Sequence, residues 1–262
     1  MVSRLEISIG QYSDKGLKPI NQDFHGVYVP KDPMLTTKGI AVALADGISS
    51  SQVSQIASEA TVRGFLMDYF CTSEAWSVKK SAQQVLTATN SWLYSQSHHS
   101  EHRYNKDKGY VCTLSCMILK STTAHLFHIG DSRIYRLRDQ ELMPLTEDHR
   151  HWTSQTKSYL SRAMGVHPQL EIDYQAHDLM KGDVFLLVTD GVYEFASAEF
   201  ITDTLKQYAD DLPKAAKTIT EHALAQGSDD NLTAQIIHID ELPSQHVDEL
   251  YQQLTTLPFP PI

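Results

Sequence analysis

Four carboxylates stand at the ends of short apolar runs, and they are the residues of this sequence best suited to chemistry. An apolar run that stops in Asp-Gly is typical of a buried strand whose tip carries a carboxylate. The run Ile40–Ala45 stops in this way, and so does the run that ends at Thr189. Because the runs are far apart in sequence, they predict one acidic site assembled from several strands. The carboxylates are Asp46, Asp131, Asp190 and Asp230, with Gly47 directly after the first.

Divalent-metal binding and hydrolysis of a phosphate ester are the chemistry that such a set suits. Two-metal hydrolysis needs several carboxylates around ions that lie about 3.5–4 Å apart. Hard cations such as Mg²⁺ prefer oxygen ligands and keep some of their waters. Gly47 has no Cβ, so its carbonyl has the freedom to turn toward an ion. A single Asp-Gly is more often a simple turn, and it is the repetition at strand ends that favours a metal site.

Strand pairs alternate with helix pairs along the chain, and this order predicts the fold class. Short connections near Lys120 and Gly130 join consecutive strands, so the sheets should be antiparallel. We therefore expect an α+β protein, a four-layer α-β-β-α sandwich. The predicted strands cover 5–10, 26–29, 40–45, 111–120, 123–129, 133–138, 183–189 and 232–239. The predicted helices run from a cap at 49–51 to 67, over 77–97, over 198–208 and over 212–226, with loops at 30–39 and 98–108 and an irregular stretch at 145–165.

The composition excludes several classes of protein. The 262 residues are 41% hydrophobic and 21% charged, enough for one large domain with a sizeable core. A net charge of −10 argues against nucleic acid as a partner, because phosphate binding favours a basic face. Three cysteines give no disulfide framework, and no apolar run is long enough to span a bilayer. We expect a cytoplasmic protein without membrane insertion.

Eight short motifs follow one another over residues 1–240. They are, in chain order, Asn21-Gln22-Asp23, Ala45-Asp46-Gly47, Gly109-Tyr110-Val111-Cys112-Thr113-Leu114, His128-Ile129-Gly130-Asp131-Ser132-Arg133, Leu145-Thr146-Glu147-Asp148-His149, Ser161-Arg162-Ala163-Met164-Gly165, Val188-Thr189-Asp190-Gly191-Val192 and Asp230-Asn231-Leu232-Thr233. Their order and spacing resemble those of the metal-dependent type-2C (PPM) serine/threonine protein phosphatases of the bacterial type. Each motif alone is weak, whereas eight in order are specific.

The resemblance implies a fold and a set of residue roles. Two antiparallel sheets would pack face to face with helix pairs outside. Asp46 would bridge two Mn²⁺ or Mg²⁺ ions and Gly47 would add its carbonyl, while Asp131 would belong to a weaker third metal site. A metal-activated water, held by Asp23, would attack phosphoserine or phosphothreonine in line, without a phosphoenzyme. The implied catalytic set is Asp23, Asp46, Asp190 and Asp230, of which Asp190 and Asp230 complete the shell of one ion.

The sequence departs from the family pattern beside the expected site. Lys18 stands where the family usually has an arginine that grips substrate phosphate, so it keeps the charge without the bidentate fork. Ile48-Ser49-Ser50 replaces a glycine-rich continuation, and Gln22 replaces a frequent glutamate. The 149–160 stretch is shorter than the flap of bacterial relatives. These departures leave open an alternative function, a catalytically weak or inactive phosphoprotein-binding regulatory module.

Partners and domain limits complete the set of expectations. Residues 1–240 should form the phosphatase-like domain, and 241–262 a tail or linker with a Pro-rich end and a short helix near 247–254. The substrate should be a phosphorylated protein. The Pro-rich end also suggests a cognate protein kinase, either separate or on the same polypeptide.

Overall fold

A computed structural model describes residues 4–105, 108–154 and 157–243. The predicted tail helix and the Pro-rich end lie outside the described residues, so the domain limits stay a prediction. The strands are β1 Glu6–Asp14, β2 Phe24–Tyr28, β3 Ile40–Ala45, β4 Leu114–Lys120, β5 Thr123–Ile129, β6 Arg133–Arg138, β7 Glu141–Pro144, β8 Arg150–Ser154, β9 Lys157–Leu160, β10 Asp173–Asp178, β11 Val184–Val188 and β12 Leu232–Glu241. The helices are α1 Met34–Lys38, α2 Ser54–Cys71, α3 Val78–His99, α4 Asp190–Tyr193, α5 Ala198–Gln207 and α6 Leu212–Ala225, with a 3-10 turn at Glu101–Tyr104.

Two antiparallel five-stranded sheets form the centre of the molecule. Their strand orders are β1-β12-β11-β6-β7 and β10-β5-β4-β3-β2. Helices α2 and α3 pack on the second sheet, and α5 and α6 cover the first. The predicted α+β sandwich of four layers is therefore confirmed. No helix in the described ranges is long and apolar enough to cross a bilayer.

Three apolar clusters hold the four layers together, one between the sheets and one under each helix pair. Strand β3 shows how one sequence serves two of them, because successive side chains of a strand point to opposite faces. Its large residues Ile40, Val42 and Leu44 pack between the sheets. The three alanines that alternate with them face α2 and α3, where a small side chain lets a helix approach closely.

Antiparallel pairing brings several strand ends to the same end of the sandwich. In one sheet, Ala45 at the end of β3 pairs with Phe24 at the start of β2. In the other, Val188 at the end of β11 pairs with Ala234 of β12 and with Arg133 at the start of β6. The residues beside these strand ends therefore meet between the two sheets. They include Asp23, Asp46, Asp131, Asp190 and Asp230.

Several elements differ from the sequence expectations. The loop predicted over 30–39 contains α1, and the edge strands β7 and β10 had not been predicted. The stretch predicted as irregular, 145–165, contains the β8–β9 hairpin. The cap predicted at 49–51 is wrong, since α2 begins at Ser54 without a side-chain cap. The reason is tertiary: the hydroxyl of Ser51 donates to the carbonyl of Gly109, in a neighbouring segment.

Asn90 of α3 holds the segment 165–167 against the helix layer, and its replacement tests how much this contact stabilises the fold. Its buried amide donates to the carbonyl of His167 (2.8 Å) and accepts from the backbone N–H of Gly165 (2.7 Å). Asn90→Ala should lower the free energy of unfolding by about 2–3 kcal/mol, because two backbone groups lose their partner. Urea denaturation measures this. In Ser91→Ala, at the exposed next position, the free energy of unfolding should stay within about 0.5 kcal/mol of wild type. Equal losses of stability in both variants would mean that the Asn90 hydrogen bonds do not stabilise the fold.

Candidate active site

The strand ends described above surround a cleft of about 150 Å³ between the two sheets. Its floor and walls combine carboxylates, neighbours that carry a hydroxyl or a cation, and residues from the base of the β8–β9 hairpin. The lining residues are Asp46, Gly47, Ile48, Ser49, Thr113, Asp131, Arg150, Tyr159, Leu160, Asp190 and Asp230. The structure thus brings together all the metal-ligand candidates that the sequence predicted.

Asp46 is the carboxylate most strongly affected by its surroundings. Burial raises the pKa of Asp46 well above its usual value, and the negative charges of Asp23, Asp190, Asp131 and Asp230 raise it further. Its backbone is fixed on both sides, because the Asp46 N–H donates to the Thr113 hydroxyl and the Thr113 N–H donates to the Asp46 carbonyl. Among the described contacts Asp46 has no ion pair. This carboxylate is therefore costly to ionise unless a cation binds beside it.

Asp23 lies beneath the cleft in a pocket of threonines. Its Oδ2 accepts hydrogen bonds from the hydroxyls of Thr233 (2.6 Å) and Thr189 (3.1 Å). Burial raises the pKa of Asp23 to about 6, although these hydroxyl donors act in the opposite direction. The second oxygen, Oδ1, is buried and has no hydrogen-bond partner. An acceptor in this state suits a water molecule or an ion at the cleft floor.

Asp131 and Asp190 share one positive charge, that of Arg150. The Arg150 guanidinium donates to Oδ2 of Asp131 (2.6 Å) and to Oδ2 of Asp190 (2.5 Å), and also to Glu194. Burial raises the pKa of Asp190 to about 7, with Asp131 adding to the effect and Arg150 opposing it. The pKa of Asp131 is also raised, again chiefly by burial. Sequence reasoning missed Arg150, since only the folded hairpin brings it to the cleft.

Lys18 lies at the opposite side of the cleft. Its Nζ is 3.2 Å from Oδ2 of Asp230 and 3.2 Å from the Ser49 hydroxyl. The loop that carries Lys18 is held by Asn231, whose amide donates to the carbonyls of Lys15 and Ile20. The proposed phosphate-binding residue is thus positioned by the residue that follows Asp230.

Gln22 has a structural role, which its position in the first motif had not suggested: it binds the segment before α2. Its side-chain amide is buried and donates to the carbonyl of Ser51 (2.7 Å) and to the hydroxyl of Ser54. A glutamate carboxylate has no N–H to donate, so it could not form these two hydrogen bonds. The neutral amide at position 22 therefore matches the serine-rich segment 49–54, whose oxygens accept its N–H groups.

His149 supports the cleft from behind rather than lining it. Its Nδ1 accepts a hydrogen bond from the Gly130 N–H, so the neutral ring carries its proton on Nε2, which donates to Asp173 (2.9 Å). The His149 N–H also donates to the Gly130 carbonyl (2.7 Å). These bonds fix the turn that presents Asp131, and they give His149 a positioning role in agreement with its motif.

The donor set fits divalent metal ions. Carboxylates at four strand ends and Gly47 line one cleft, and Asp23 leaves a buried oxygen without a partner. Oxygen donors of this kind are what Mg²⁺ and Mn²⁺ prefer. In the described part of the chain, no three His, Cys, Asp or Glu side chains close around a single point. The carboxylates therefore surround the cleft rather than meet at one point.

Comparisons with known proteins agree with this geometry. The family model of protein phosphatase 2C matches residues 18–233. The serine/threonine phosphatase stp of Listeria welshimeri is 28% identical over 250 residues, which cover 86% of this chain and 93% of that protein. Protein phosphatase PhpP of Streptococcus pneumoniae is 26% identical, over 90% of this chain and 98% of that protein. The catalytic domain of the serine/threonine protein phosphatase PstP, solved in complex with two manganese ions, is 25% identical with a TM-score of 0.71, over 90% of this chain and 99% of that one. The chain belongs to the protein phosphatase 2C family.

Proposed function

We propose that this chain hydrolyses phosphoserine and phosphothreonine in proteins with the help of two Mn²⁺ or Mg²⁺ ions in the Asp46 cleft. The observation that carries the proposal is the convergence of Asp46, Asp190 and Asp230 on one cleft from three separate strand ends. The family match over residues 18–233 supports the reaction class. The manganese-bound relative supports the choice of metal.

The residues of the chain divide the work as follows. Asp46, the Gly47 carbonyl, Asp190 and Asp230 would hold the two ions. Bound ions would supply Lewis-acid polarisation of the phosphoryl group and would lower the pKa of an attacking water. Asp23, fixed by its threonine hydroxyls, would accept a hydrogen bond from that water and orient it toward phosphorus.

The serine or threonine oxygen that leaves phosphorus needs a proton, and the cleft residue that follows Gly47 cannot supply it. Ile48 lines the cleft but carries no ionisable group. Ser49 is exposed next to it, and its hydroxyl lies within 3.4 Å of Oδ2 of Asp230. We therefore infer that solvent water, which reaches this open side of the cleft, protonates the serine or threonine oxygen as it leaves.

Lys18 is the proposed contact for substrate phosphate, and its replacement gives a sharp test. Lys18→Ala should raise KM for a phosphopeptide about tenfold, because a hydrogen bond to a charged group is lost, with a smaller effect on kcat. Steady-state kinetics measures this. Lys15→Ala, at an exposed lysine of the same loop, is the matched control and should leave KM unchanged. An unchanged KM in Lys18→Ala would remove Lys18 from the substrate site.

The direct test of the function is hydrolysis of a phosphopeptide and of a small aryl phosphate by the metal-stripped chain, with and without added Mn²⁺. The proposal predicts turnover that depends on metal. The alternative is a phosphoprotein-binding regulatory module, which one observation favours: Lys18 and Arg150 already pair with three of the cleft carboxylates. Phosphopeptide binding without turnover at any metal concentration would decide for that alternative.

The cellular setting is part of the same proposal. The acidic net charge of −10 and the three free cysteines support a cytoplasmic location. A phosphatase of phosphoproteins acts against a protein kinase, so we propose a cognate kinase that phosphorylates the same substrates.

A further inference from the structure

We propose that the guanidinium of Arg150 is a built-in cation that occupies the Asp131 side of the cleft, so that wild-type protein binds two divalent ions and excludes a third. This inference rests on the proposed two-metal function. It concerns a residue that the motifs do not include. It also assigns the β8–β9 hairpin a part in setting the metal content of the site.

The contacts of Arg150 are those of a cation placed between carboxylates. Its Nε donates to Asp131 and its Nη2 to Asp190, so one group joins residues from two separate strand ends. Its Nη1 donates to Glu194, one residue beyond the end of α4. Arg150 itself lines the cleft, and its side chain is only 13% exposed. A divalent ion that joined Asp131 to Asp190 would have to take the same space.

Two other arginines, Arg133 and Arg138, pair differently. Arg133 forms a two-pronged bond with the single carboxylate of Asp148, and Arg138 does the same with Asp183. Neither Asp148 nor Asp183 lines the cleft. Arg150 instead divides its donors among three carboxylates, two of which are cleft residues. Its single positive charge therefore offsets several negative charges at once, whereas Arg133 and Arg138 each offset one.

Charge repulsion makes the two occupants mutually exclusive. A divalent ion placed between Asp131 and Asp190 would have to take the position of the guanidinium itself, where the like charge would repel it strongly in a region of low effective dielectric. Arg150 is the first residue of β8 and is paired with Leu160 of β9, whose side chain also lines the cleft. Removal of the guanidinium from its position therefore requires movement of the side chain or of the hairpin base. A third ion can bind only after that movement.

Equilibrium binding of Mn²⁺, followed by the electron paramagnetic resonance of the free ion, tests the proposal without reference to activity. Wild type, Arg150→Gln and the matched control Arg133→Gln are titrated after metal removal. We expect two ions per chain in wild type and in Arg133→Gln. In Arg150→Gln we expect a third ion, bound at least about tenfold more tightly than any third ion in wild type, because a close like charge has been removed.

The possible outcomes separate this inference from the proposed function. If Arg150→Gln binds the same two ions with the same affinities as wild type, the inference is wrong and the two-metal function stands. If wild type already binds a third ion as tightly as the variant, the inference is equally wrong. If neither protein binds Mn²⁺, both proposals fail.

A second variant covers the case in which Arg150→Gln does not fold, which circular dichroism would show. Glu194→Gln keeps Arg150 and the cleft carboxylates but removes one of the three charges that hold the guanidinium. It should tighten binding of a third ion in the same direction by a smaller factor than the loss of Arg150. A third-ion affinity equal to that of wild type in Glu194→Gln would count against the inference on its own.

Discussion

Asp46→Asn is expected to abolish metal-dependent hydrolysis and, at the same time, to raise the melting temperature of the metal-free protein. Burial raises the pKa of this carboxylate well above the usual value, and the charges of four neighbouring carboxylates raise it further. Its ionised form is thus unfavourable without metal, and the neutral amide of similar shape removes that cost. The proposed bridging ligand would be lost with it, and several kcal/mol of transition-state stabilisation correspond to a rate loss of roughly 10²–10⁴-fold.

Asp183→Asn is the matched control, because it makes the same chemical change at another buried aspartate. The Asp183 side chain is 1% exposed and receives two hydrogen bonds from Arg138, far from the cleft carboxylates. Its replacement should lower stability by about 1–3 kcal/mol, since a charged partner is left without its pair, and should leave kcat of the folded fraction near wild type. Thermal melts without metal and initial rates with Mn²⁺ give both quantities.

The two variants should therefore change stability in opposite directions, and only Asp46→Asn should lose activity. If Asp46→Asn is less stable than wild type without metal, the account of like-charge repulsion in the cleft is wrong. If its rate stays within a few fold of wild type, Asp46 is not a metal ligand, and the proposed mechanism is wrong with it.

The central strands and the acidic site could be predicted from sequence for a common physical reason. Strand β3 is buried on both faces and β11 over most of its length, so their sequences are nearly continuous apolar runs that end abruptly at Asp46 and just before Asp190. The motif order then identified the family, which the comparisons confirm. These strand ends meet in one cleft because the strands pair antiparallel, and the short connections between consecutive strands had already indicated antiparallel pairing.

What the sequence did not reveal depends on contacts between distant segments. Strand β10 is polar, with the sequence Asp173–Asp178, because it is an edge strand with only β5 as its partner. The serines before α2 resemble a helix cap, yet the hydroxyl of Ser51 and the carbonyl next to it are taken by Gly109 and Gln22. Arg150 is one polar residue in a polar stretch until the β8–β9 pairing places it at the cleft wall. Local pattern gives no sign of any of these three.

The inter-sheet face of β12 shows how the fold changes from core to active site along a single strand. Ile239 and Ile237 belong to the apolar cluster between the sheets. Two residues further, Gln235 is buried but bonds to Gln11 and to the carbonyl of Gly26, and Thr233 then donates to Asp23. The same alternation that packs the core thus delivers a hydroxyl to a buried carboxylate. The acidic site is thus supported by a strand that is hydrogen-bonded to a neighbour on each side.

The stability of the metal-free protein should fall as the pH rises from about 4 to about 7. The folded chain raises the pKa of Asp23 to about 6 and that of Asp190 to about 7, mainly by burial, from an ordinary value of 3.8. In this window the folded state holds protons that the unfolded state has released, so unfolding becomes easier by up to about 1.4 kcal/mol per pH unit for each carboxyl. The contribution is complete below about pH 4 and is lost above the folded pKa values. Urea denaturation across this range measures it, and Asp190→Asn, which cannot titrate there, should show a shallower slope than wild type.

Mn²⁺ should reverse this loss, and most strongly where the carboxylates are ionised. Metal binding requires deprotonated ligands and stabilises the folded state by mass action, by about 2.7 kcal/mol for one site at a free concentration one hundred times Kd. The rise in melting temperature on addition of Mn²⁺ should therefore be large at pH 8 and small at pH 5, with protons released on binding at intermediate pH. Asp183→Asn, whose changed carboxylate lies outside the cleft, should show the same pH dependence as wild type. An increase of equal size at both pH values would mean that Mn²⁺ binds away from these buried carboxylates, since only ligands that must lose a proton in this range can produce the difference.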